Sequence, residues 1–245
     1  MKLYRQLLLI GLLSVILVKQ SKAQTGQVDP PIANSSEHML ISNFNQFNFT
    51  ELSRNHFDKF ADILNVEGKF FLNKEWLEGT VYFTTKQMVK NDSIRYFVFG
   101  KEMHISHKGK TMAIINQTAM DSIVFDNHRF VYSEFYFGSN LIKDYLDLLS
   151  DKSIKLYKHY SNKFIKAKEV SGYQEQASDK YVIKEEYYIS RENETPEFFN
   201  SNKKNVVALF SNRKNEVLEY IKSNNLRLKN EKDLIRIFNY FGSLK

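Results

Sequence analysis

The chain has no cysteine among its 245 residues. Disulfide bonds, a cysteine nucleophile and a thiol for lipid attachment are therefore excluded. The fold must be stabilised by its core, and the chain is long enough for this, because a domain of about 200 residues buries roughly 70% of its unfolded surface.

Glycine and proline are also scarce, with nine glycines and three prolines. None of the glycines forms a GxGxxG fingerprint, a P-loop or a GxSxG nucleophile elbow, and the chain has no HExxH motif or EF-hand loop. The sequence thus carries no signature of these enzyme and cation-binding classes, and we expect no cofactor.

No apolar run is long enough to cross a membrane, which takes about twenty residues. The apolar run at residues 7–18 follows two basic residues and ends in the small-residue pattern Ser21-Lys22-Ala23. This order predicts a secretory signal peptide at residues 1–23, cleaved before Gln24, rather than an uncleaved anchor or a buried helix. We therefore expect an exported chain, periplasmic or secreted, without a transmembrane span.

Basic residues are in excess, 35 against 28 acidic residues. Four of the basic residues lie within residues 1–23, so the exported chain keeps 31 against 28, or +3. Residues 24–150 hold 12 basic and 15 acidic side chains, whereas residues 151–245 hold 19 and 13. Because these lysines are dispersed among acids, a solvated helical surface is the favoured interpretation and nucleic acid is an unlikely partner. Binding of a polyanion or an anionic lipid would require residues 152–168 and 203–229 to form one basic surface.

The segment at residues 24–50 is predicted to be a disordered lead-in. After it, short aromatic and β-branched runs dominate the first part of the chain. The spacing of residues 51–64 behind Thr50 predicts a helix. Alternating runs separated by turn residues then predict an antiparallel meander with a hairpin around Gly109. The predicted strands are Thr80–Thr85, Ile94–Phe99, Glu102–Ser106, Thr111–Ile115, Ser122–Phe125, Arg129–Tyr136, Ile154–Ile165 and Lys180–Ser190.

The last part of the chain has helical periodicity. Helices are predicted over Lys203–Phe210 and Arg213–Ser223, and a third begins after Asn230 as N-cap, with Asp233 completing a capping box and Gly242 as C-cap. Its apolar stripe consists of Leu234, Ile237, Phe238 and Phe241. The segment Ser139–Leu149 fits either a strand or a short helix.

These elements favour one α+β domain at residues 51–245, mainly β over 51–190 and helical over 200–245. Its antiparallel meander forms a sheet or a partly open barrel, with helices on one side.

Two histidines, His104 and His107, lie close to Glu102 in the sequence and suggest a metal site. Side chains alternate along a strand, so only Glu102 shares a face with His104, and a third ligand would have to come from elsewhere, such as His128 or Asp126. We therefore expect no metal site here.

Aromatic residues fill both faces of the segment 129–137. Phe130, Tyr132 and Tyr136 share one face, which either packs in the core or remains open to stack on a ligand such as a sugar or a lipid chain. They are the candidate binding residues. Catalytic residues are not identifiable, although acids such as Asp144 and Asp147 have the chemistry for acid/base work.

Two stretches carry a resemblance to a known group of proteins. The run GKFFLNKEWLEGTV at residues 68–81, and the ending EYIKSNNLRLK at 219–229 with EKDLI at 231–235 and YFGSL at 240–244, are similar to an uncharacterised family of exported proteins from Bacteroidota-type bacteria. The resemblance covers about residues 68–244 and departs at Gly242, where the family has Asn. The resemblance implies export and a single fold over these residues, and it assigns no activity and no site residues.

The function expected from these observations is that of a non-enzymatic exported envelope protein that binds a small ligand or assembles with an envelope protein. The alternative is a cell-envelope hydrolase that uses dispersed carboxylates.

Overall fold

The described residues contain one twelve-stranded sheet, with two short α-helices after its first strand and three α-helices after its last strand. The structure is a computed structural model that describes residues 49–167, 178–192 and 194–242. The predicted signal peptide and residues 24–48 of the predicted lead-in lie outside the described residues. The strands are β1 Phe49–Glu51, β2 Glu67–Gly68, β3 Leu77–Phe83, β4 Met88–Phe97, β5 Glu102–His107, β6 Lys110–Ile114, β7 Met120–Phe125, β8 His128–Phe137, β9 Asn140–Ser150, β10 Ile154–Ile165, β11 Lys180–Arg191 and β12 Glu197–Phe199.

The sheet runs in the order β1-β6-β5-β4-β3-β7-β8-β9-β10-β11-β12. All neighbours in this order are antiparallel, and β2 pairs in parallel with the start of β11. The predicted α+β class with an antiparallel meander is therefore confirmed, with one parallel pair that the sequence did not predict. The meander departs from sequential order at β3, which pairs with both β4 and β7.

The predicted hairpin around Gly109 is present. Strands β5 and β6 pair with Ser106 opposite Thr111, and the turn residues Lys108 and Gly109 have φ angles of 50° and 76°. A two-residue loop with both φ angles positive matches the right-handed twist of the flanking strands, which explains glycine at the second position.

The predicted helix at residues 51–64 is wrong in its extent. Thr50 pairs with Ala113 in β1 instead of capping a helix, and the segment that follows forms two short helices, α1 at Arg54–Asp58 and α2 at Ala61–Leu64. Edge pairing with β6 extends the chain through Glu51, so helix formation is delayed until after Ser53. The ambiguous segment at residues 139–149 is strand β9, which pairs with β8 and β10.

The three helices of the last part are α3 at Lys203–Leu209, α4 at Lys214–Ser223 and α5 at Glu231–Gly242. Asn230 caps α5, since its Oδ1 accepts a hydrogen bond from Asp233 N at 3.2 Å. The reciprocal half of the predicted capping box is absent, because the Asp233 carboxylate accepts instead from Arg227 N at 3.0 Å.

Helix α5 packs its predicted stripe on the sheet. Leu234, Ile237 and Phe238 have no solvent exposure and lie in one hydrophobic cluster with residues of β10, β11 and β12. Gly242 is required by this packing, since a Cβ added there would lie 2.5 Å from Lys152 Cβ. Close approach of the helix to the chain before β10 therefore accounts for this glycine. The predicted C-cap at Gly242 is wrong, since Gly242 belongs to the helix itself and has no positive φ angle.

Among the described residues, no helix combines the length and the apolar character that a membrane span requires.

Truncation of the α5 stripe should destabilise the protein strongly. Ile237→Ala removes a fully buried side chain, and such truncations cost about 2–5 kcal/mol. The matched control Lys232→Ala changes an exposed position of the same helix, and should stay within about 0.5 kcal/mol. Urea unfolding measures both, and equal effects would contradict the packing described.

Candidate functional site

The three aromatic candidates of β8 lie in different environments. Phe130 is fully buried, with its ring stacked on Phe125 at 5.3 Å between centroids. Tyr132 is half-buried, and Tyr136 is 47% exposed. The structure therefore does not bring the three side chains together on one open face, because the first packs in the core.

Tyr132 does line an open cleft of about 370 Å³ together with Glu134, Lys143 and Pro196. Glu134 and Lys143 face each other across β8 and β9 and form an ion pair at 3.0 Å. These two charges compensate each other, and Glu194, which also lines the cleft, leaves it with net negative charge.

The two acids singled out on β9 are buried centres of hydrogen bonding. Asp144 is 1% exposed and accepts hydrogen bonds from Tyr96 OH at 3.3 Å and His159 Nε2 at 3.1 Å, while Lys101 Nζ lies 3.3 Å away. Its carboxylate oxygens are therefore engaged inside the protein, and Asp144 does not line the cleft beside Tyr132.

Asp147 has a similar set of partners. Its carboxylate accepts from Arg129 N at 3.1 Å, His128 Nδ1 at 2.5 Å and Tyr160 OH at 3.2 Å. Burial alone lowers the pKa of His128, but the hydrogen bond to Asp147 and its negative charge outweigh burial, and the pKa is raised above 6.5. Asp147 is also only 1% exposed, so the structure offers neither acid to a substrate.

The predicted geometry at His104 is confirmed in part. His104 is fully buried and its Nε2 lies 2.9 Å from Glu102 Oε2, while His107, three residues on, takes no part in this cluster. The third group is His56 of α1, whose Nε2 lies 2.9 Å from the same oxygen. Sequence reasoning looked for a third group in His128 or Asp126 and missed His56, because nothing in the sequence shows that α1 packs over β5.

The protonation of this cluster follows from its burial and contacts. Burial lowers the pKa of His104 more than the contact with Glu102 raises it. Burial raises the pKa of Glu102, but the hydrogen bonds from His104 and His56 outweigh this effect, and the pKa is lowered.

An open candidate for ligand binding is a groove between α3 and α4, which we call the basic groove. It comprises two adjoining cavities of about 490 Å³ and 720 Å³ that share Lys203 and Leu218. The remaining lining residues are Lys204, Val207, Ala208, Lys214, Ile221, Lys222, Asn225, Leu226 and Arg227. An apolar floor is thus bordered by five cations.

Helical spacing explains this arrangement. Lysines 203 and 204 precede Val207 and Ala208 by one turn in α3, so all four share one side of that helix. In α4, Lys214, Leu218 and Lys222 follow one another at intervals of four residues, whereas Val217 points into the core with no exposure. Each helix therefore buries one face and presents a face of mixed lysine and apolar residues to the groove.

The cations of the basic groove make no ion pair with any described acid, whereas some lysines of the basic half do. Lys155 pairs with Asp151 at 3.2 Å, and the buried Lys158 pairs with Glu231 and Glu185. The acids of α4, Glu216 and Glu219, do not line either cavity. Other cations of the described basic half, such as Lys163 and Lys180, likewise form no ion pair. The groove differs from them because it combines five such cations with an apolar floor.

Comparison with known proteins adds no assignment, since no family model, curated protein or solved structure matches this chain.

The contact between His128 and Asp147 should make a pH-dependent contribution to stability. Because the pKa of His128 is higher in the folded protein than its ordinary value of 6.5, the folded state binds more protons than the unfolded chain. The contact's contribution to the free energy of unfolding is then complete below the pKa of His128 in the unfolded chain. It is lost as pH rises through the pKa of His128 in the folded protein. The free energy of unfolding lost in His128→Asn should therefore be larger at about pH 5.5 than at about pH 8. A loss that is equal at both pH values, or larger at the higher one, would contradict this contact.

Proposed function

We propose that the protein is an exported, non-enzymatic binding protein of the cell envelope whose ligand is an anionic lipid held in the basic groove. The observation that carries this proposal is the combination of five cations without described ion pairs and an apolar floor in one groove between α3 and α4. The signal-peptide pattern at residues 1–23 supports export. In the cell envelope, lipid surfaces are accessible to the folded chain.

The charge of the groove suits an anionic head group. Each lysine or arginine close to an anionic lipid surface contributes about 1 kcal/mol, so five such cations provide up to about 5 kcal/mol at low ionic strength. These side chains form no ion pair with a described acid, so no such pair has to break when the ligand binds. The ligand replaces only water and counterions. The paired lysines 155 and 158 would instead have to break an existing ion pair.

The apolar floor favours a lipid over a soluble polyanion. Ala208, Leu218 and Ile221 offer apolar surface between the cations, and each CH₂ group of an acyl chain buried there contributes about 0.8 kcal/mol. A polyanion such as a sulfated polysaccharide has no group for this floor. The groove therefore matches a molecule with both an acidic head and an alkyl chain.

Nothing in the described geometry favours the hydrolase alternative. The buried acids Asp144 and Asp147 each bind a histidine and a tyrosine inside the protein, and neither lines the basic groove. A binding role uses the accessible features of the molecule, whereas a carboxylate mechanism would need acids that reach a substrate.

Loss of groove charge should weaken binding to anionic vesicles. Lys203→Gln combined with Lys214→Gln removes two cations and should reduce affinity for phosphatidylglycerol vesicles by about 2 kcal/mol, or about 30-fold, at low salt. Ala208→Glu, at an exposed position of α3, should reduce it as well by adding a negative charge to the floor. Vesicle co-sedimentation of the exported form measures these affinities.

The matched control is Lys163→Gln combined with Lys180→Gln, which removes the same charge from exposed positions of β10 and β11. It should retain most of the affinity. Equal losses in the two double variants, or equal binding to phosphatidylcholine vesicles, would overturn the proposal. Complete competition by heparin with unchanged affinity in Leu218→Ser, which alters the apolar floor without changing charge, would instead identify a soluble polyanion as the ligand.

A further inference from the structure

A second site lies at the opposite part of the sheet, where α1 packs over β5. The donor atoms of His56, Glu102 and His104 all lie within 4.8 Å of one another. Glu102 Oε2 occupies the centre of this cluster, 2.9 Å from Nε2 of each histidine. Three side chains of metal-ligating type thus converge from two separate elements of the fold.

Aromatic packing holds the three side chains in place. Phe57 and Phe60 of the α1–α2 segment meet the ring of Phe97 at 6.2 Å and 5.2 Å, which fixes α1 over the sheet. The rings of Phe71 and Phe97 lie 6.0 Å and 5.5 Å from the ring of His104. An apolar shell therefore surrounds the buried side of the cluster, as is common around metal centres.

The other side of the cluster is open to solvent. The side chains of His56 and Glu102 are 20% and 18% exposed, whereas that of His104 has no exposure. An ion can therefore reach the donor atoms, and water can complete its coordination on the exposed side, as in zinc sites with three protein ligands.

We propose that His56 Nε2, His104 Nε2 and the Glu102 carboxylate bind one divalent transition metal ion of the zinc class. Two imidazoles favour zinc, copper or nickel over magnesium and calcium, which prefer oxygen ligands. Tetrahedral zinc with bonds of about 2.0–2.1 Å places its ligand atoms about 3.4 Å apart. The two contacts of 2.9 Å must therefore lengthen by roughly half an ångström, which the partly exposed side chains of His56 and Glu102 can accommodate.

Two features limit the affinity of this site. Lys59 Nζ lies 3.7 Å from Glu102 Oε1, and the guanidinium of Arg95 lies between the rings of Phe71 and Trp76 close to His104. In addition, metal at Nε2 places the His104 proton on Nδ1, a buried atom without a hydrogen-bond partner among the described residues. The site is therefore expected to bind metal more weakly than a closed structural zinc site, and to be filled reversibly.

Titration with Co²⁺ and Zn²⁺ tests the proposal on the secreted chain without a histidine tag. We expect saturable binding of one ion per chain, with a visible absorption band of tetrahedral Co²⁺ that Zn²⁺ removes by competition. His56→Asn and Glu102→Gln should each weaken binding at least about tenfold, as loss of groups at metal sites does. Glu102→Gln keeps the side-chain shape, so it tests ligation even if His56→Asn loosens α1.

The matched control is His128→Asn, which removes a histidine that also binds a carboxylate but lies in a different cluster. It should leave the affinity and the absorption band unchanged. Absence of saturable binding by the parent chain would overturn the proposal, as would equal affinity in the parent and Glu102→Gln. An equal loss in His128→Asn would show that the binding is not specific to this cluster.

Discussion

Burial of the apolar stripe of α5 against the last strands of the sheet is the interaction on which the C-terminal part depends. Leu234, Ile237 and Phe238 are removed from water completely, and each contributes about 1.5–3 kcal/mol of hydrophobic free energy. Val206 of α3 and Val217 of α4 pack in the same hydrophobic cluster. The two helices that form the basic groove are therefore positioned by the same core that holds α5 on the sheet.

One ion pair with a buried lysine orients α5 on the sheet, in addition to this apolar contact. Lys158 of β10 is 5% exposed and binds Glu231 in the first turn of α5, whose carboxylate also accepts from Tyr187 OH at 3.2 Å. Burial of charges is costly, so such a pair contributes less to net stability than its contacts suggest. A placement of the helix that separates Glu231 from Lys158 would, however, leave the Glu231 carboxylate without this cation at the interface. Other placements of the helix are therefore disfavoured.

The ionisable groups of the molecule thus differ in role according to whether they have partners. Asp144 and Asp147 are enclosed and hydrogen-bonded, and they organise the interior between the strands. The cations around the basic groove are accessible and have no described acid as partner. The combination of these cations with an apolar floor, more than the net charge of the basic half, directs the functional interpretation to the groove.

Local patterns allowed much of the fold to be predicted. The stripe of α5 and the hairpin at Gly109 follow from spacing within a few residues, because helix and hairpin formation are local. The contact of His56 with Glu102 joins residues 46 apart in the sequence, and no local pattern reports it. The strand pairing of Thr50 with Ala113 is equally non-local, and for that reason the helix predicted at residues 51–64 was wrong in extent.

The basic groove was only partly accessible to sequence reasoning. The surplus of lysine after residue 150 was visible, but its division into paired and unpaired side chains depends on tertiary contacts such as that between Lys158 and Glu231. The requirement that residues 152–168 join residues 203–229 in one basic surface also proved unnecessary for the groove, because α3 and α4 with the loop after α4 supply all five of its cations.

Hydrogen exchange of backbone amides in the presence of phosphatidylglycerol vesicles tests lipid binding by the basic groove, because it locates the bound surface without any substitution. The account predicts that exchange slows in residues 203–227, which span α3, α4 and the loop after α4, and stays unchanged in β3 to β6. Protection confined to the sheet, or no protection in residues 203–227 under conditions where the protein binds the vesicles, would contradict it.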